Sequence, residues 1–137
     1  MKKIVIDTSV VMKWYFPEKG FEKALELKDN HIKGNITLHS RDLLIYEFTS
    51  AFKNHSSSII SAKDFSLAVS VLVALKIKLL PLSFQEMKEL FNLSRELDLS
   101  IYDASFILLS IKIKAPLYTS DKKLWTKGKK STEVIFL

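Results

Sequence analysis

Short runs of β-branched and apolar residues alternate with longer segments of helical periodicity along the chain. This alternation constrains the fold more than any other feature. Residues 3–7, 36–39, 77–82, 117–119 and 133–136 read as strands. Helical segments follow Pro17-Glu18 (to about residue 30), a Ser40 cap and a Ser61/Asp64 capping box. Further helices are predicted over 83–97 and 100–114, with a short one over 121–125. Strands separated by helices pair in parallel, and the helices then cover both faces of the sheet. In such sheets ligands sit beyond the carboxyl ends of the strands.

The 137 residues suit a single domain, 1–137. Three glycines and three prolines leave little linker material, and Ser56-Ser57-Ser58 is the softest stretch. Cysteine is absent, which excludes a disulfide framework, a thiol nucleophile and a cysteine-based metal site. The longest apolar stretch, residues 67–75, is far shorter than the about 20 residues a membrane-spanning helix needs. A soluble, cytoplasmic protein with no membrane partner is expected. The net charge of +6 and pI of about 9.4 suit either a polyanion-binding surface or simply a lysine-rich solvated one.

Four carboxylates carry the chemistry. Asp7 ends the first strand, Glu47 sits in the apolar stretch 43–52, Asp103 lies in the first turn of a helix, and Asp121 follows a strand. Each has a local explanation: Asp7, Asp103 and Asp121 suit capping or helix-dipole positions, and Glu47 suits a solvent-facing one. Were they to converge at about 5 Å, each like-charge pair would cost on the order of 3 kcal/mol at an effective dielectric near 20. The cluster would have to take up protons or bind a cation. Oxygen-only donors suit Mg²⁺ or Mn²⁺.

Four segments resemble the PIN-domain family and, within it, the small VapC-type toxin ribonucleases: IVIDTSVVMKWYFPEKGFEKAL, LIYEFTSAF, DLSIYDASFILLS and APLYTSDKKL. They cover nearly the whole chain in family order. The resemblance implies a three-layer α/β/α sandwich with a central parallel sheet and a Mg²⁺- or Mn²⁺-dependent endoribonuclease acting on RNA. It assigns Asp7, Glu47, Asp103 and Asp121 to the family's metal-binding quartet, and Ser9 and Thr119 to polar positions beside it. It also implies a homodimer and a cognate antitoxin protein as partner. Two departures stand out. Ser50 occupies a position where many relatives carry Asn, and Lys122-Lys123 stand where some carry a further acid.

Competing chemistries find less support. A dehalogenase-like hydrolase needs a second Asp where Ser9 stands, and no glycine-rich phosphate loop is present. A non-catalytic RNA-binding or scaffold PIN domain is the stronger rival. His31, His39 and His55 lie away from the four segments and are expected to pack or face solvent. Lys122, Lys123, Lys127, Lys129 and Lys130 suit either an RNA backbone grip or a solvated tail. Trp14, Tyr15, Phe16 and Trp125 are expected to pack rather than stack on bases.

Overall fold

The structure is a computed structural model and describes residues 2–55 and 61–137. The chain order is β1 (Lys2–Ile6), α1 (Thr8–Tyr15), α2 (Phe21–Ile32), β2 (Ile36–Ser40), α3 (Leu43–Lys53), α4 (Ala62–Leu75) and β3 (Lys78–Leu79). A 3₁₀ turn (Phe84–Glu86) leads into α5 (Met87–Leu97), α6 (Ile101–Ile113), β4 (Leu117–Thr119), α7 (Lys122–Gly128) and β5 (Val134–Phe136). The five strands form one parallel sheet in the order β3-β2-β1-β4-β5. Ser56-Ser57-Ser58 lies outside the described residues.

Alternating side chains of β1 separate two cores. Ile4 and Ile6 pack with Leu38, Val10, Trp14, Leu27, Phe48 and Phe52 beneath α1–α4. Val5 faces the other way, with Leu117, Val134, Leu97, Phe106, Ile107 and Leu124 beneath α5–α7. The result is a three-layer α/β/α sandwich. Helix α6 is buried from Ala104 through Ser110, so it reads as apolar all round rather than as a stripe.

Several boundaries differ from expectation. Helix α2 begins at Phe21, not Pro17, because Gly20 adopts φ +91° and a Cβ there would meet the Leu137 backbone at 2.8 Å. Ser40 does not cap α3; its hydroxyl donates across the sheet to the Ile6 carbonyl at 2.6 Å. Strand β3 shrinks to two residues: one further bond, Leu80 N to Ser40 O, precedes Pro81, which has no N–H to offer. Of the three Ser-x-x-acid boxes in the sequence, Ser61/Asp64 and Ser83/Glu86 form in full, whereas at Ser100/Asp103 the Ser100 hydroxyl accepts from the Asp103 N–H.

The aromatic and histidine side chains pack as expected. Trp14 donates its indole N–H to Ala24 O, and Tyr15 lies edge-on to Phe48 and Phe52. Trp125 packs on Phe136. His31 bridges the Leu38 N–H and the Leu75 carbonyl, His39 contacts Thr37 O, and His55 stacks on Phe16. Among the described residues, no helix is long and apolar enough to cross a membrane.

Candidate active site

β1 is flanked by β2 on one side and β4 on the other, so the winding direction reverses there. A crevice beyond the strand ends is expected at such a switch point. Asp7 follows β1 and Asp121 follows β4 by two residues.

Asp7 is 5 % exposed and N-caps α1. Its Oδ1 accepts from Ser9 Oγ at 2.6 Å and Val10 N at 3.4 Å, and its Oδ2 accepts from Thr119 Oγ1 at 2.6 Å. Thr119 in turn accepts from Asp121 N at 2.9 Å, and Ser9 accepts from Ser120 N at 2.8 Å. Two buried or half-buried hydroxyls thus bind the ends of β1 and β4 into one polar network. Burial pushes the Asp7 carboxyl up to about 6; the Ser9, Thr119 and Val10 donors oppose this, and the Asp121 charge adds to it.

Asp121 N-caps α7, its Oδ1 accepting from Lys123 N and Leu124 N at 2.9 and 3.2 Å. Asp103 sits in the first turn of α6, its N–H donating to the Ser100 cap at 3.0 Å. Its carboxyl is raised, first by burial and then by the charges of Asp121 and Glu47, while Ser100 and Lys123 oppose. Glu47 projects from α3 and accepts from Thr8 Oγ1 at 2.6 Å. Asp7 and Asp121 cap their helices, and the charges reach across elements: Asp121 acts on Asp7 and on Asp103, and Glu47 on Asp103. Charge thus links Asp7 to Asp121, Asp121 to Asp103 and Asp103 to Glu47, with Ser9 and Thr119 bonded to Asp7.

The donors are all oxygen, which fits a hard divalent cation and not a tetrahedral zinc. Among the described residues, no three carboxylate or imidazole side chains form a ready-made ion cage.

The PIN-domain profile matches residues 4–130. The chain belongs to the PIN-domain family. It is 28 % identical over 128 residues to Ribonuclease VapC3 of Pyrobaculum aerophilum, covering 89 % of this chain and 92 % of that protein. The crystal structure of PAE2754 from Pyrobaculum aerophilum superposes with a TM-score of 0.68 at 20 % identity, covering 97 % of this chain and 89 % of that one. A domain of a functionally unknown protein from Methanocaldococcus jannaschii superposes with a TM-score of 0.56 at 18 % identity, covering 100 % and 91 %. Both likenesses concern the fold alone.

Sequence reasoning missed two residues around the site. Thr8 stands inside the Asp-Thr-Ser strand exit of this PIN domain, and only the fold shows that it holds Glu47. Ser50 does not take that role; it is exposed and accepts from Asn54 at 3.4 Å. Arg41 is 2 % exposed and ties three regions together. Its Nε donates to Ser105 O at 2.9 Å, and its Nη atoms reach Leu80 O at 3.3 Å and Glu86 Oε2 at 3.4 Å. Of the five C-terminal lysines, Lys127 is bound to Asp98 at 3.0 Å and Lys129 sits over the Trp125 ring, while Lys123 acts on Asp103.

Proposed function

We propose that this PIN domain, a single unit over 1–137, is a Mg²⁺- or Mn²⁺-dependent endoribonuclease. Asp7, Glu47, Asp103 and Asp121 surround the scissile phosphate, and Ser9 and Thr119 fix the innermost acid. The observation that carries this reading is the shared field of four acids from separate segments at the β1/β4 strand ends. The relative named Ribonuclease VapC3 supports RNA as the substrate.

A divalent ion held by these carboxylates and water would offset their repulsion, neutralise charge on the phosphate and make water a better nucleophile at neutral pH. The protein's own part is positional. The Ser9 and Thr119 hydroxyls lock both oxygens of Asp7. Glu47, held at one oxygen by Thr8, orients the attacking water and accepts its proton. Water oxygen bonds to phosphorus as the bond to the 3′ oxygen breaks. The 3′ oxygen takes up a proton, leaving a 5′-phosphate and a 3′-hydroxyl. By its VapC resemblance, the protein acts in the cytoplasm as a homodimer restrained by an antitoxin protein.

The test is cleavage of a mixed RNA pool with Mg²⁺ or Mn²⁺, with EDTA, and with Asp7→Asn. Cleavage should stop on chelation, return with the ion, fail in the variant and leave 5′-phosphate ends. Cleavage surviving EDTA, or 2′,3′-cyclic phosphate ends, refutes it. The absence of a preformed three-carboxylate cage among the described residues favours a rival, non-catalytic RNA-binding reading. Under the nuclease reading, Mn²⁺ raises the melting temperature of the wild type and not of Asp7→Asn; under the rival it raises neither.

A further inference from the structure

The two residues at the exit of β2 reach three of the four acid-bearing segments. Ser40 donates its hydroxyl to the Ile6 carbonyl at 2.6 Å, one residue before Asp7. Arg41 opens the turn into α3: its carbonyl accepts from Leu44 N at 3.0 Å, and the Asp42 carbonyl accepts from Ile45 N at 3.0 Å. Glu47 lies further along that helix. The Arg41 side chain donates through Nε to Ser105 O on α6 at 2.9 Å. Ser105 stands two residues after Asp103, about 3 Å along the helix axis. One residue therefore starts the helix that carries Glu47 and holds the helix that carries Asp103.

The side chains of these helix starts do not interlock. A cavity of about 220 Å³ opens there, lined by Asp42, Leu43 and Tyr46 from the α3 side and by Ile101, Tyr102 and Ser105 from α6. Arg41 lines the same cavity and bonds across to α6.

The surroundings of Arg41 suit geometry more than charge. The residue is 2 % exposed, yet its carboxylate contact, Glu86 Oε2, lies at 3.4 Å. Its shortest bond is to Ser105 O, and Nη1 reaches Leu80 O at 3.3 Å and Pro81 O at 3.5 Å. A planar guanidinium holds several acceptors at set angles, which an ammonium cannot do. The charges that act on Asp103 are those of Asp121, Glu47 and Lys123; Arg41 reaches Asp103 through the backbone of α6.

We infer that Arg41 is a positioning residue that sets the spacing of Glu47 and Asp103, and with it the fit of the acidic centre to a divalent ion; this rests on the nuclease reading.

The experiment compares two ways of destabilising the full chain. Arg41→Met and Arg41→Lys remove the planar fork. Leu75→Ala removes a buried side chain at the end of α4, a helix that carries none of the site residues. Mn²⁺ alone is titrated into each folded protein and followed by electron paramagnetic resonance. Its Kd should rise about 10- to 100-fold in both Arg41 variants, the range for residues that orient metal ligands, and should stay at the wild-type value in Leu75→Ala. In the metal-free state, nitroxides at Ser50→Cys on α3 and Ile111→Cys on α6 report the spacing of the two helices, in a chain with no other cysteine. The distance distribution should shift or broaden in the Arg41 variants and not in Leu75→Ala. Should Arg41→Met fail to fold, Arg41→Lys decides.

A wild-type Kd for Mn²⁺ in either folded Arg41 variant overturns the inference; in Arg41→Lys it would assign the role to charge. An equal rise in Leu75→Ala overturns it too, because general loosening would then suffice. So does an unchanged distance distribution in the Arg41 variants. The two readings fail separately. If the wild type cleaves RNA and the Arg41 variants bind Mn²⁺ normally, only the positioning role falls. If the wild type binds Mn²⁺ without cleaving RNA, and the Arg41 variants weaken that binding, only the nuclease falls. A wild type that binds no Mn²⁺ removes both.

Discussion

Replacing Asp7 by Asn separates what this carboxylate does for chemistry from what it costs the fold. The folded chain holds the Asp7 proton more tightly than the unfolded chain, with the carboxyl raised from 3.8 to about 6. Its contribution to stability is therefore complete below pH 3.8 and is lost as pH rises through about 6. Ionised Asp7 then costs the fold about 3 kcal/mol at pH 8 and about 1 kcal/mol at pH 4.5. Asn imitates the protonated acid, with an acceptor oxygen and a donor NH₂ group for the Ser9 and Thr119 hydroxyls. The variant should be more stable than the wild type by about 3 kcal/mol at pH 8, roughly 10 °C in melting temperature for a chain of this size. The advantage should shrink to about 1 kcal/mol at pH 4.5. Urea denaturation in EDTA at the two pH values measures it. Equal stability at pH 8, or an advantage that does not shrink on acidification, refutes the burial argument.

Thr8→Val keeps the shape of α1 but removes the donor to Glu47. Cleavage should fall about 10- to 100-fold, as for other orienting partners, with stability within about 1 kcal/mol of the wild type; an unchanged rate would leave Thr8 with no orienting role. Arg41→Met strands the Ser105 and Leu80 carbonyls and the Glu86 carboxylate. Urea denaturation should show a loss of about 2–4 kcal/mol, and Arg41→Lys should recover little because it lacks the planar fork. A loss below about 1 kcal/mol would mean that solvent satisfies those groups.

The alternation of strands and helices was legible in the sequence because it depends on periodicity, which is local. Helix α1 was less so. Thr8 to Tyr15 is rich in β-branched and aromatic residues, and only the Asp7 cap marked its start. Ser40 carries the signature of a cap, but its hydroxyl is taken by a carbonyl on the neighbouring strand, a partner that no local reading can see. Arg41 looked like one more cation among 21 lysines and arginines; its burial depends on where β2, the β3 exit and α6 meet. The four acids were visible individually, and the resemblance grouped them. Their convergence depends on strand order, which local patterns do not encode.

Helix starts also temper the repulsion among the acids. Asp7 and Asp121 cap α1 and α7, and Asp103 lies in the first turn of α6, so three of the four stand at positive helix ends. Each such placement stabilises a carboxylate by about 0.3–1 kcal/mol at the surface, and up to about 2 kcal/mol when partly buried. The about 3 kcal/mol that remains on Asp7 is already net of its Val10 cap bond, so the helix end offsets the cost of burial and like charge only in part. The fold is thus left with a residual demand for positive charge at the strand ends. Glu47 differs from the other three. It lies within α3, away from any helix start, and the Thr8 hydroxyl steers it. The Asp7 and Asp121 carboxylates cap helices and cannot swing without losing those bonds. Glu47 can move at the cost of one hydrogen bond, which suits the acid that must follow a water through the reaction.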